Sequence, residues 1–293
     1  MTKNNRTKHY FGAVQILLGA SCFGLIPIFV RFGKDISTLD LVFFRAFFGV
    51  FFIFIMAKFH KMKLVLRRNH ILKTIIWSII LLLAIASYFY SLKKIDITSA
   101  TLLLSLSSFF IVILSNLLLA EKIYLNTFIA LIFSLVGTIF VISSPIHINS
   151  NLIGCLAAIS AAFWTGLNFI FPKIYFSSSD VYSLTFFQSL FQIPLLFPFF
   201  LISPPVFNTG NLIIFSCLGL FCTAFAFILI YSGSKNVKGQ YIGLLQSPEF
   251  IIPIILSYFI FKEPLHHQVI IGGIFLVISY LLIVASRKKV HES

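Results

Sequence analysis

Residues Gln240–Pro264, QYIGLLQSPEFIIPIILSYFIFKEP, form a long apolar run with one acid, Glu249, near the middle and a second, Glu263, just past its last hydrophobic residue. About 20 apolar residues are what a helix needs to cross the hydrocarbon layer. A carboxylate within such a run is costly in lipid and is placed facing a bundle interior or a water-filled cavity. The segment therefore predicts a membrane helix with a polar interior on one side, and the remainder of the chain reads as the bundle around it.

Composition agrees. Of 293 residues, 59% are hydrophobic and only 10% charged, with a mean hydropathy of +1.03. An ordinary soluble domain is about 25% charged, so the solvent for most of this surface is lipid. The net charge of +14 does not signal a nucleic-acid partner, because the basic residues lie between apolar runs rather than along one polar face. Cys22, Cys155, Cys217 and Cys222 all fall inside apolar runs without zinc spacing, and they read as buried thiols. The polar, basic start of the chain passes directly into a long hydrophobic segment, so no removable signal peptide is expected.

Ten spans are expected: Gly12–Phe32, Leu39–Ala57, Ile71–Leu92, Thr98–Ala120, Leu125–Ile142, Leu152–Ile174, Val181–Ile202, Asn211–Ser232, Gln240–Phe261 and Gln268–Ala285. Short connections make successive helices antiparallel neighbours. With both termini cytoplasmic, the loops and span ends place 16 Lys and Arg residues inside and 5 outside, Arg45 alone lying deep within a span. The positive-inside rule favours that orientation and a cytoplasmic (inner) membrane location.

The chain also repeats. Shifted by 142 residues without gaps, Gly12 meets Gly154, Ala20 meets Ala162, Gly24 meets Gly166, Phe29 meets Phe171, Arg31 meets Lys173, Lys93 meets Lys235, Ser105 meets Ser247 and Glu121 meets Glu263. Residues 1–150 and 151–293 thus read as two five-span repeats. An odd number of spans inverts the second against the first, an arrangement that places transport sites at the repeat interface. The fold class expected is all-α, integral to the membrane, with ten transmembrane helices as two inverted five-helix repeats. The small-residue stripes Gly12, Ala20, Gly24 and Gly154, Ala158, Ala162, Gly166 let helix backbones approach closely.

Several polar residues stand within spans. Glu249 is nine residues into its span, about 13 Å deep by helical rise. Gln246 precedes it by one turn, and Pro248 and Pro253 flank it. Each proline removes a helical hydrogen bond and frees a carbonyl. Broken backbone beside a buried carboxylate suits a proton, a cation or an amine; the alternative is a Glu249 that merely accepts interhelical hydrogen bonds. Arg45 is read as gating or structural, by snorkelling, by holding carbonyls or by pairing with Glu249. Trp164 and Asn168, one turn apart, and Ser105, Ser107 and Ser108 either contact a ligand or bond between helices, and Gln188 and Gln192 are weaker candidates of the same kind. There is no P-loop, HExxH, GxSxG or dinucleotide fingerprint in the sequence, and neither a cofactor nor a metal site is expected. His266 and His267 beside Glu263 are the one pairing that would suit an integral-membrane enzyme acting on lipid or carrier-linked substrates. A non-transporting bundle is the third alternative.

Taken together, the chain resembles the drug/metabolite transporter superfamily, and its EamA-type branch in particular, over nearly its whole length. The resemblance rests on ten spans in a five-plus-five repeat, on FFRAFFG around Arg45, and on spans ending in an acid, LLLAEK at Glu121 and FIFKEP at Glu263. Glu249 stands fourteen residues before Glu263, where the family often carries a Glu-Pro pair; here the proline precedes the acid. In the fourth span, Ser107 and Ser108 replace the family's frequent mid-span proline. The resemblance implies a non-enzymatic permease with a central cavity bordered by the first, third, fourth, sixth, eighth and ninth spans. It also implies alternating access for a small polar or amphipathic metabolite, an amino acid or related compound, with a coupling proton or cation as a possible partner.

Overall fold

Apolar runs of this length have one way to satisfy their backbone in lipid, the α-helix. In the computed structural model, which describes residues 3–120, 125–143, 151–176, 181–202, 208–234, 245 and 248–290, every regular element is helical. Seven helical stretches are long and apolar enough to cross a bilayer: Tyr10–Phe32, Thr38–Phe59, Arg68–Lys94, Ile97–Leu119, Leu152–Pro172, Ser183–Leu201 and Thr209–Ile230. Three shorter apolar helices, Phe128–Ile142, Pro248–Phe261 and His267–Ser279, fill the remaining places in the order of ten. The chain is a multi-pass membrane protein.

The first span is α1 (Lys3–Gly24) followed by α2 (Ile26–Phe32). The interruption at Leu25 comes just before Pro27, whose missing N–H cannot continue the ladder. The second span is α3 (Thr38–Phe59) and the third α4 (Ile71–Lys94). The fourth divides into α5 (Ile97–Leu104) and α6 (Ser107–Leu119), where the sequence alone suggests one continuous helix. The fifth to seventh are α7 (Leu125–Ile142), α8 (Leu152–Tyr175) and α9 (Val181–Ile202). The eighth runs as α10 (Thr209–Gly219), a π-helical segment (Leu220–Phe225) and α11 (Ala226–Ser234). The last two are α12 (Pro248–Phe261) and α13 (His267–Val290).

Packing follows a pseudo-two-fold. The third span (α4) lies against the sixth (α8), as the eighth (α11) lies against the first (α1). The fourth (α6) lies against the sixth, as the ninth (α12) lies against the first. The second and seventh spans pair across the axis, as do the fifth and tenth. Each of these contacts is the image of another, or of itself, under exchange of the two halves.

Close approach needs glycine at two crossings. A Cβ on Gly272 of α13 would sit 2.6 Å from the carbonyl oxygen of Gly137 on α7. A Cβ on Gly219 would sit 2.3 Å from the Cβ of Phe48 on α3. Outward, α3 exposes Phe47, Phe51 and Phe54, and α12 exposes Ile251, Ile255 and Phe259. These stripes recur every three or four residues and face where lipid lies.

Candidate functional site

The site is built around the break in the fourth span and the start of α12. At Ser105 the backbone N–H divides between Thr101 O (3.1 Å) and Leu102 O (3.2 Å), and the hydroxyl donates to Leu102 O at 2.6 Å. Leu106 N–H then reaches back only three residues, to Leu103 O at 3.2 Å. A serine bonding its own turn loosens a helix without a proline. Ser107, the first residue of α6, is buried, while Ser105 and Ser108 are half-buried. The 142-residue shift carries Leu106 onto Pro248, where α12 begins. α6 begins at Ser107, whose image under the shift is Glu249, one position after the proline that begins α12, and proline fits the first turn of a helix.

Glu249 occupies the first turn of α12 and is half-buried. A carboxylate is favoured there by the helix dipole. Pro253 lies four residues on, inside the same helix, so the bond that would engage the Glu249 carbonyl has no donor. The acid thus offers its carboxylate and its own backbone oxygen from one residue. Gly24 allows α1 to close on this turn, since a Cβ on it would lie 3.0 Å from the Pro248 carbonyl oxygen and 3.0 Å from Ile252. Across from α12, Tyr88 of α4 is buried and shares a 3.2 Å hydrogen bond with Thr101 Oγ1 of α5. Gln246 lies outside the described residues.

The other candidates fall elsewhere. Asn168 joins three spans: its backbone oxygen accepts Trp77 Nε1–H at 3.0 Å, and its side-chain oxygen accepts Gln188 Nε2–H at 3.0 Å. Trp164 is half-buried, edge-on to Phe163 and packed against the Trp77–Phe176 cluster. Gln192, one turn beyond Gln188, is fully buried and its amide makes no hydrogen bond. Arg45 is 3% exposed, and its Nε is unpartnered. It forms no ion pair with Glu249. Among the described residues no cluster of three His, Cys, Asp or Glu could hold a metal.

Glu263 is engaged by Arg31, at 2.6 Å, and by the N–H of Ile97, at 2.8 Å. Burial pushes its carboxyl above the ordinary range, while Arg31 and the Ile97 N–H pull it back. Sequence reasoning used Glu263 as a motif and found neither this contact nor Tyr88. The available signal was a cation, Arg31, at the end of the first span.

The model of the EamA-like transporter family matches residues 10–143 and again residues 152–285. The chain belongs to this family. The two EamA matches begin 142 residues apart, the offset at which the sequence repeats. An uncharacterized transporter of Archaeoglobus fulgidus is 27% identical over 274 residues, covering 93% of this chain and 96% of that protein. The pseudopaline exporter CntI of Pseudomonas aeruginosa is 19% identical over 284 residues, covering 94% and 97%. A solved crystal structure superposes with a TM-score of 0.69 at 14% identity, covering 95% of this chain and 98% of that one. EamA membership makes this a membrane transporter, with a small molecule as its substrate.

Proposed function

We propose that the chain is a secondary transporter that exports a small polar or amphipathic metabolite, an amino acid or related compound, across the cytoplasmic membrane by alternating access. The carrying observation is Glu249, an interior acid in the first turn of α12 with its own carbonyl freed by Pro253. Such a group binds a substrate ammonium or a coupling proton. Export is favoured by the relative named as an exporter. The two halves, residues 1–150 and 151–293, act as the units that rock about the site. Both termini lie in the cytoplasm, in keeping with the charge asymmetry of the loops; terminal reporter fusions read from each side of the membrane test this.

An enzymatic reading needs a free acid beside His266 and His267, and Glu263 is already committed to Arg31 and α5. The direct experiment is uptake and counterflow in proteoliposomes, using a labelled metabolite panel with and without an imposed pH gradient. Accumulation that follows the gradient in the parent and disappears in Glu249→Gln is expected. Undiminished, gradient-dependent transport in Glu249→Gln removes Glu249 from the mechanism.

A further inference from the structure

The charged cluster at the Glu263 end of the bundle takes no part in the cavity chemistry above. Arg31, in the last turn of α2, donates through Nη2 to Glu263 Oε1 at 2.6 Å and to the Ile95 carbonyl at 2.9 Å. The second Glu263 oxygen accepts the N–H of Ile97, the first residue of α5, at 2.8 Å. A side chain from the ninth span therefore caps a half-helix of the fourth, satisfying an N–H the helix cannot satisfy itself. Beneath it, Thr98 and Ser257 share a 3.2 Å hydrogen bond, both side chains buried. Alongside, Lys93 donates to the Ile36 carbonyl, tying the end of α4 to the turn before α3. Arg31, Ile95 and Ile97 come from the first repeat, whereas Glu263 comes from the second.

We infer that Arg31, Glu263 and the start of α5 form a clasp that shuts the outer end of the transport pathway and must part for solute to pass. This inference rests on the transport reading. With side chains 22% and 14% exposed, the pair gives up much of its hydration, which offsets most of its Coulombic gain. Its consequence is geometric: the bonds of Arg31 and Glu263 exist only while the ends of α2, α5 and α12 stay together. Separation of α12 from α2 and α5 together breaks the Glu263–Arg31, Glu263–Ile97 and Thr98–Ser257 contacts in one movement, and the layer beneath becomes wet. The 142-residue shift carries Arg31 onto Lys173 and Glu263 back onto Glu121, so the sequence holds the same charge order for the opposite end; Glu121 lies outside the described residues.

The test uses the full chain in right-side-out and inverted vesicles. Cys22, Cys155, Cys217 and Cys222 are replaced by alanine, and Ser257→Cys serves as the sole thiol for a charged, membrane-impermeant maleimide. Slow labelling from the Glu263 side is expected with the clasp intact. Arg31→Glu, which sets two acids together, should speed it about tenfold or more, and the exchange Arg31→Glu with Glu263→Arg should restore part of the slow rate, because it regains the ion pair but not the bonds to the Ile97 N–H and the Ile95 carbonyl. Arg31→Gln supplies a gentler opening should charge reversal impair folding, which elution as a single species monitors. Equal labelling rates in the parent, Arg31→Gln and Arg31→Glu overturn the clasp. Labelling needs no substrate, so accelerated labelling in a protein that moves no solute retains the clasp and overturns the transport reading, whereas unchanged labelling with intact flux does the reverse.

Discussion

Pro253 puts a price on the helix that carries Glu249. It withholds a donor from the Glu249 carbonyl within a span that otherwise favours regular hydrogen bonding. Pro253→Ala returns that N–H and should raise thermal stability, by about 1–3 kcal/mol, while lowering flux, because the carbonyl is then occupied. A melt in detergent read beside proteoliposome flux checks both halves; a variant that is stabilised and fully active excludes the free carbonyl from transport. Tyr88→Phe keeps the ring and deletes only the hydroxyl that bonds Thr101. It is expected to raise KM severalfold with little loss of stability, since one hydrogen bond contributes about 1 kcal/mol. Glu249 was legible in the sequence because a lone acid in an apolar run is costly in lipid and so marks a polar interior. Tyr88 was not, because a tyrosine among apolar residues suits packing, the membrane interface and a site equally well.

Among elements, the endings of α6 and α12 are the most informative. Ala120 and Lys262 both have positive φ, 53° and 55°, and they are related by the 142-residue shift. Each stands immediately before the acid that closes its motif, Glu121 or Glu263. A left-handed residue turns the chain sharply out of a helix, and in Glu263 the result is a carboxylate directed back to α2 and α5. Non-glycine residues bear about 1–2 kcal/mol of strain in this region. Lys262→Gly should therefore leave stability within about 1 kcal/mol of the parent, whereas Lys262→Val should lower it and speed labelling of Ser257→Cys from the Glu263 side. A Val variant as stable and as slowly labelled as the parent would show that the turn does not position the acid. The acids were visible as motifs from the sequence. Their purpose was not, because the partner Arg31 lies 232 residues away. The division of the fourth span at Ser105 was hidden for a different reason: serine interrupts a helix only where its hydroxyl returns to its own turn, and nothing in the residue type announces that.

At the scale of the molecule, the repeat shift alone was enough to expect two inverted five-span halves, because insertion into a membrane leaves antiparallel helices few alternatives. Which helices touch was not contained in it. The fifth and tenth spans meet through Gly137 and Gly272, an approach that requires both positions to lack side chains. Gly272→Val should destabilise the fold by about 1–3 kcal/mol as an overpacked contact, seen as a lower midpoint in a detergent melt. An unchanged midpoint would place this crossing outside the stabilising contacts.

The exchange of contacts between halves also sets an order of events during synthesis. The third span, α4, finds its partner α8 in the other half, and so does α6. When Lys94 has left the ribosome, 81 residues remain before Tyr175 completes α8, an interval of about 4–16 s at ordinary elongation rates. Throughout it, Ser78 and Thr74 on α4 keep their hydroxyls bonded to the preceding turn of their own helix, a form that can wait in lipid without a neighbour. The third and fourth spans thus wait in the bilayer for the sixth, while the first, second and fifth wait longer, for the eighth and ninth, the seventh and the tenth.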